Sequence, residues 1–350
     1  MRSEYTVYHI VRSFGLDGGM EKYVWRLTHE LSKVGVNVGV ICEQVKTKPA
    51  EDIELHVLSQ IKARHRWQSL RNFRDQVEDF IYQLQPVSQN IIFHSHERNI
   101  SHHVTTFHGP PFQPKGLEKL IFSTSKRHSA WRELERQELF GPNVRQITTV
   151  SKNLQNQLLN MYPDLETESL KVTYPGVTPP SALLTTRSPS RFEKLLFVGR
   201  EWKRKGLLTT IEILRAMRKT HDASLDIFGP SSLPNKITNE PGVYLKGWGE
   251  KISWENYDCL IHPATVEPFG MVIPEARAHG LPVLTSEAVG AIELQFCGLR
   301  ANAVSSSTAQ WLTSLEELQN ENFARSPEIK WTWEDLANQH ISDIYSIVNR

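Results

Sequence analysis

The chain has 350 residues, with Lys+Arg 40 against Asp+Glu 39 and a formal net charge of +1. That length predicts two domains, each with its own core, while the balanced charge gives nucleic acid no electrostatic footprint and no apolar run is long enough to span a bilayer. Cys42, Cys259 and Cys297 lie far apart without metal-type spacing and read as reduced, mostly buried thiols of a cytosolic protein.

In chain order, Met1-Arg2-Ser3-Glu4-Tyr5 carries no signal-peptide pattern and runs into a short apolar stretch rich in β-formers over 5–11. Residues 12–19 form a loop ending in Gly18-Gly19. Met20, Val24, Leu27, Leu31 and Val34 then recur at helical spacing until Gly35 stops the helix, and 36–42 reads as a second buried strand. This strand–loop–helix–strand order is a βαβ unit and implies a parallel sheet. Further strand-like runs at 53–58, 90–93, 104–107 and 146–150, with helical stretches between several of them, make the first half an open α/β domain. Between 174 and 191 the texture changes: Pro175, Gly176, Pro179, Pro180 and Pro189 sit among Ser and Thr, as in a linker or hinge. The pattern then restarts with a strand at 194–198, a loop over 199–206, a helix over 207–219 and a strand at 224–228. Strands at 243–246 and 259–262, a helix from about 271 to 279 and a strand at 282–285 follow. The predicted division is 1–176, 177–332 and a last helix, 333–350, packing back on the first domain. Two such domains facing each other leave a cleft, and ligands of open α/β sheets sit at the carboxyl ends of the strands.

The most informative stretch is Glu267-Pro-Phe-Gly-Met-Val-Ile-Pro-Glu275. It sets two carboxylates eight positions apart across a turn-to-helix transition, with Gly270 before an apolar run. A glycine admits close backbone approach to a ligand, and a helix start offers unpaired N–H groups to an anion. The flanking carboxylates cannot serve that anion and suit hydroxyls instead, so the segment reads as a cradle for a phosphate between hydroxylated rings. In Gly199-Arg200-Glu201-Trp202-Lys203-Arg204-Lys205-Gly206, Arg200 and Lys205 are placed to converge on one anion from opposite ends of a strand-to-helix loop; the bland alternative is a solvated basic turn. Lys203 and Arg204 read as surface charges. Gly18-Gly19 serves either a ligand's approach or a tight turn. Gly15, Gly18 and Gly19 lack the G-x-G-x-x-G spacing, and no acidic residue clearly ends the following strand, which disfavours a nicotinamide-dependent enzyme. His108 stands past a strand end before a Gly-Pro turn, where functional side chains are displayed; His94 and His96 read as structural, with no carboxylate partner for a zinc site.

Taken together, Gly-Gly-Met-Glu-Lys-Tyr-Val, Phe-His-Gly-Pro, Val-Gly-Arg followed five residues on by Lys-Gly, and Glu-Pro-Phe-Gly with its later Pro-Glu-Ala resemble a family 4 retaining glycosyltransferase of the two-domain GT-B fold. The pieces run in family order over nearly the whole chain. Within the family the chain is similar to bacterial enzymes of lipopolysaccharide core and surface glycans. The resemblance implies that Glu275 binds ribose hydroxyls, that Glu267 faces the transferred sugar, and that backbone around Phe269, Gly270, Met271 and Val272 contacts sugar and diphosphate. It also implies that Arg200 and Lys205 neutralise the diphosphate, that His108 lies near the donor sugar's hydroxymethyl group, and that Gly18-Gly19 belongs to the loop beneath the phosphates. Trp248 either stacks on the base or is an interfacial core residue. A Tyr174-Pro175-Gly176-Val177 stretch replaces the family's frequent Asn-Gly pair at the end of the first domain.

The implied reaction moves a sugar from a nucleoside diphosphate, uridine by family habit, to a glycan or glycolipid hydroxyl with retention. It needs no cofactor and no metal, since Arg200 and Lys205 take the cation's place and the chain has no Asp-x-Asp motif. Two basic stretches interleave cations with apolar residues: 62–74 (Lys62, Arg64, Arg66, Trp67, Leu70, Arg71, Phe73, Arg74) and 115–136 (Lys115 to Arg136, with Leu117, Leu120, Ile121 and Trp131). They read either as solvated helices or as a surface resting on anionic lipid at the inner face of the cytoplasmic membrane. A nucleotide-sugar epimerase of the same architecture and a non-catalytic partner of a glycan-assembly complex are the competing readings.

Overall fold

The computed structural model describes residues 4–84, 90–112, 126–180, 191–248, 251–321 and 329–348. The chain divides into two compact units, one made of Met1–Gly176 with Trp333–Arg350 and the other of Val177–Thr332.

The first unit contains β1 (Thr6–Ile10), β2 (Ser13–Phe14), α1 (Gly19–Lys33), β3 (Asn37–Cys42), β4 (Gln44–Val45), β5 (Ile53–Val57), α2 (Arg66–Leu84), β6 (Ile91–Ser95), β7 (Val104–Phe107), α3 (Lys126–Phe140), β8 (Gln146–Thr149), α4 (Lys152–Met161) and β9 (Leu170–Val172). Its main sheet runs β5-β3-β1-β6-β7-β8-β9, and every pairing is parallel. Every residue of β7 and β8 is buried, as expected when helices cover both faces of a parallel sheet. On α1 the buried face is Tyr23, Val24, Leu27, Thr28 and Leu31, three and four residues apart. The chain's last helix, Trp333–Val348, belongs to this unit. Its Ile344 packs on Val7 and Ile92, Trp333 meets the edge of Tyr23 at 5.9 Å, and Asp343 pairs with Lys171 at 2.5 Å.

The second unit contains β10 (Lys194–Val198), α5 (Leu207–Met217), β11 (Ser224–Phe228), α6 (Asn235–Thr238), β12 (Val243–Gly247), β13 (Cys259–His262), α7 (Val272–Ala278), β14 (Val283–Ser286), β15 (Leu299–Asn302) and α8 (Thr308–Asn320). Its parallel sheet is ordered β12-β11-β10-β13-β14-β15. The core gathers Leu195, Phe197, Ile211, Leu214, Ile227, Ile261 and Trp311. In each sheet the strand order reverses beside the first strand, between β1 and β6 and between β10 and β13. Crevices for ligands open at such reversals, beyond the strands' carboxyl ends.

Several expectations need correction. Cys42 and Cys259 are buried, but Cys297 is exposed. An acid does follow β3: Glu43 is buried and takes the Arg12 guanidinium at 2.8 Å, so it is already committed to an internal ion pair. The 174–191 linker is described only up to 180 and at 191, its remaining residues lying outside the described ones, as do 115–125 of the second basic stretch. The rest of that stretch opens α3, against which the first is packed. Leu70 and Phe73 are buried, Arg71 pairs with Glu133, Arg74 donates to Gln137 at 2.6 Å, and Arg66 lies over Trp131. Leu70 and Phe73 are thus turned into the core, while Trp67 stays half-buried beneath the Arg71 guanidinium.

Candidate active site

The loop after β10 and the loop after β13 flank the reversal in the second sheet, and they are stitched together. Thr265 N–H donates to the Arg204 carbonyl at 2.9 Å; the Arg204 guanidinium donates to the Val266 carbonyl. Trp202 anchors the first loop by packing on the core. Gly206 ends it at φ +81°, and a Cβ there would overlap the Pro263 backbone carbonyl, so only glycine lets the two loops approach this closely.

The stitching brings one carboxylate under two cations. Lys205 Nζ donates to Glu267 Oε2 at 2.6 Å, Arg204 Nη1 to the same oxygen at 3.2 Å, and His262 Nε2 stands 3.6 Å away, too far for a proper hydrogen bond. The Lys205 stem crosses Gly199, where a Cβ would collide with it. Burial alone would raise the Glu267 carboxyl. The Lys205 and Arg204 contacts outweigh it and hold the group well below the usual carboxylate range, while burial pushes His262 below its ordinary value. Arg204, read from sequence as a surface charge, is thus part of the site, bridging Glu267 and Glu201. Its neighbours in the basic loop gave no cue to which cation turns inward.

At the other end of the loop, the exposed Arg200 lies 3.6 Å from the centroid of the Trp248 ring, a cation–π contact that leaves this indole 48% exposed. The 267–270 segment is pinned to the loop after β14: Gly290 N–H donates to the Glu267 carbonyl at 3.1 Å and Ala291 N–H to that of Phe269 at 2.8 Å. Phe269 is buried, and its carbonyl is taken by that bond. Gly270 has φ +91°, and Met271 and Val272 lead into α7, which carries Glu275, half-buried, on its first turn. The helix has seven residues, and Ile273 N–H is spent on the Gly270 carbonyl at 3.0 Å. A dipole this short is a weak anion seat; the cations of the first loop are the stronger one.

The remaining sequence candidates stand in the first unit. Gly18 caps α1 with extended backbone and no side-chain bond, and a Cβ on the exposed Gly19 would meet nothing within 4 Å. His108 follows β7 and is bonded Nε2 to Nδ1 of His96 at 2.9 Å. His94 and His96, read as structural, are buried beside it.

Residues 17–179 match the family described as Glycosyltransferase Family 4, and residues 193–316 the one described as Glycosyl transferases group 1. The chain belongs to the family 4 glycosyltransferases. It is similar to an uncharacterized glycosyltransferase of Methanocaldococcus jannaschii, at 27% identity over 172 residues, which spans 43% of this chain and 44% of that relative. Among solved structures it resembles WaaG, a glycosyltransferase involved in lipopolysaccharide biosynthesis, with TM-score 0.73 at 19% identity over 98% of this chain and 97% of that one. It also resembles HepE of Anabaena, in complex with UDP and glucose, with TM-score 0.60 at 16% identity over 99% and 98%. The likeness and the two parallel α/β units make this glycosyltransferase a GT-B protein.

One stability effect follows from the Glu267 cluster. A carboxyl whose folded pKa lies below its unfolded value of about 4.3 stabilises the fold above that pH. The contribution fades as pH falls through the unfolded value toward the folded one. Glu267→Gln in this glycosyltransferase is expected to flatten the fall of Tm between about pH 5 and pH 3, measured by calorimetry against the wild type; parallel curves would show that the cluster does not hold the charge.

Proposed function

We propose that the protein transfers a sugar from a nucleoside diphosphate, uridine diphosphate in the first instance, to a hydroxyl of a glycan or glycolipid with retention of anomeric configuration. The observation that carries this is the Lys205–Arg204–Glu267 cluster beside Arg200 over Trp248, at the strand-order reversal of the second unit. The cations suit a departing diphosphate, the carboxylates Glu267 and Glu275 suit sugar and ribose hydroxyls, and Trp248 offers a ring face to a base. The loop and Glu267 together hold four cations against two carboxylates, an excess positive charge that welcomes a dianion. The lysine and arginines take the role a divalent cation plays elsewhere, so no metal is required.

A place in lipopolysaccharide core or surface-glycan assembly is supported by the likeness to WaaG. Peripheral contact with an anionic bilayer would rest chiefly on exposed Lys62, Arg64 and Arg66; salt-sensitive co-sedimentation with anionic vesicles tests it, and no binding at low salt ends it.

The deciding experiment is thermal unfolding against a panel of nucleoside diphosphates and their sugars. A ligand at 100 times its Kd stabilises by about 2.7 kcal/mol, and a uridine member is expected to give the largest shift. Transfer to acceptor with that donor, unchanged by a chelator, is the expected activity, and proton NMR of fresh product reads its stereochemistry. Strict manganese dependence removes the metal-free scheme. Turnover of the donor without acceptor replaces transfer by epimerisation.

A further inference from the structure

Behind His108 the first unit buries a row of imidazoles that the proposed transfer does not itself require. His9 on β1 approaches His96, just past β6, with Nδ1 to Nε2 at 3.0 Å; His96 continues to His108 with Nδ1 to Nε2 at 2.9 Å. His94 bonds Thr106 at 2.7 Å and lies ring against ring with His340 of the last helix, whose Nε2 meets the Tyr23 hydroxyl at 3.2 Å. Tyr23 presents its ring edge-on to His108 at 4.8 Å. Burial lowers all five histidines far below their ordinary value, His9 and His108 to about 3 and His340 to about 4. Each ring is neutral at physiological pH, with one N–H and one lone pair.

Three neutral rings joined by two hydrogen bonds leave little choice. Two protons lie in the bonds, and the third sits at one end of the row, on His9 Nε2 or on His108 Nδ1. His9 is fully buried, and its Nε2 has no hydrogen-bond partner among the described residues. A buried N–H without an acceptor is among the rarest defects in folded proteins, and a bare lone pair is tolerated more often. The third proton therefore goes to the partly exposed ring. We infer that His9 and His96 are positioning residues that fix His108 in its Nδ1–H tautomer, so that the first unit presents a neutral hydrogen-bond donor just past the end of β7. What that donor serves rests on the proposed sugar transfer; the tautomer does not. Ligand atoms of His9, His94 and His96 also fall within 4.8 Å of one another, but the His9–His96 bond holds a proton where coordination would need two lone pairs.

Long-range proton–nitrogen NMR of the full chain labelled with 15N-histidine, with peaks assigned by single His→Gln variants, reads each tautomer directly. Nδ1–H on His9, His96 and His108 is the expected result. Nε2–H on His108, or one equivalent of zinc in the purified protein, overturns the inference. In His96→Asn an amide donor stands near the lost Nδ1, so His108 should keep its tautomer and turnover should stay close to wild type. In His96→Leu the tautomer should become mixed and kcat should fall about tenfold, the effect of one lost hydrogen bond. Equal losses in both variants with the tautomer unchanged would mean that His96 only fills space. If the Nδ1–H tautomer is found but no nucleotide sugar is turned over, the positioning row stands and the transfer reading falls.

Discussion

Lys205→Met is expected to lower kcat at saturating donor by about 10²–10³-fold, the usual cost of removing one preorganised electrostatic contact to a developing charge. Methionine keeps the unbranched stem that crosses Gly199 and removes only the ammonium. That ammonium is 2.6 Å from Glu267 and only partly exposed, so it acts in a medium where charge is poorly screened. The same change strips Glu267 of its nearest cation and leaves it to Arg204, which should destabilise the second unit by about 1–3 kcal/mol. The two effects separate in the double variant Lys205→Met/Glu267→Gln. Stability should return, because no buried charge is left without its partner; turnover should not, because the cation for the departing diphosphate is still missing. Recovery of turnover would show that the pair serves the fold and not the reaction. Arg200→Ala should lose turnover to a similar degree through the other end of the loop, and near-normal rates in both single variants would remove the diphosphate assignment.

How much of this was legible in the sequence depends on the range of each interaction. Strands of the two sheets show as apolar runs because both faces are covered, and β7 was read over its full length. β15, LRAN, is only half-buried along its length and has no such run to read. The start of α8 is spelled locally, by the capping box of Ser307 and Gln310, but no such signal follows it to mark the helix's length. The Glu267 and Lys205 motifs were legible because their glycines and charges are local. Arg204's role was not, since it depends on a carbonyl and a carboxylate some sixty positions away. His9 could not be singled out from an apolar strand: its bond to His96 spans 87 positions and exists only because β1 and β6 are neighbours at the sheet's reversal.

The second large effect comes from a glycine pair with similar backbone and different surroundings. Gly206 and Gly247 have φ of +81° and +78°. An alanine in that left-handed region costs about 1–2 kcal/mol wherever it is placed. At Gly247 a Cβ meets nothing within 4 Å, so Gly247→Ala should cost only that. At Gly206 the Cβ would overlap the backbone carbonyl of Pro263, which cannot rotate away as a side chain can. Overpacking adds about 1–3 kcal/mol, and Gly206→Ala should lose about 2–5 kcal/mol in urea unfolding. To relieve the overlap, the loop after β10 must move off the loop after β13, and Lys205, the residue before Gly206, moves with it away from Glu267. Protein that remains folded should therefore lose turnover as deeply as Lys205→Met does, although no charge has been removed. Equal stability losses at the two glycines would mean that the loops are not in the close contact described, and that the cluster around Glu267 is held by something other than their approach.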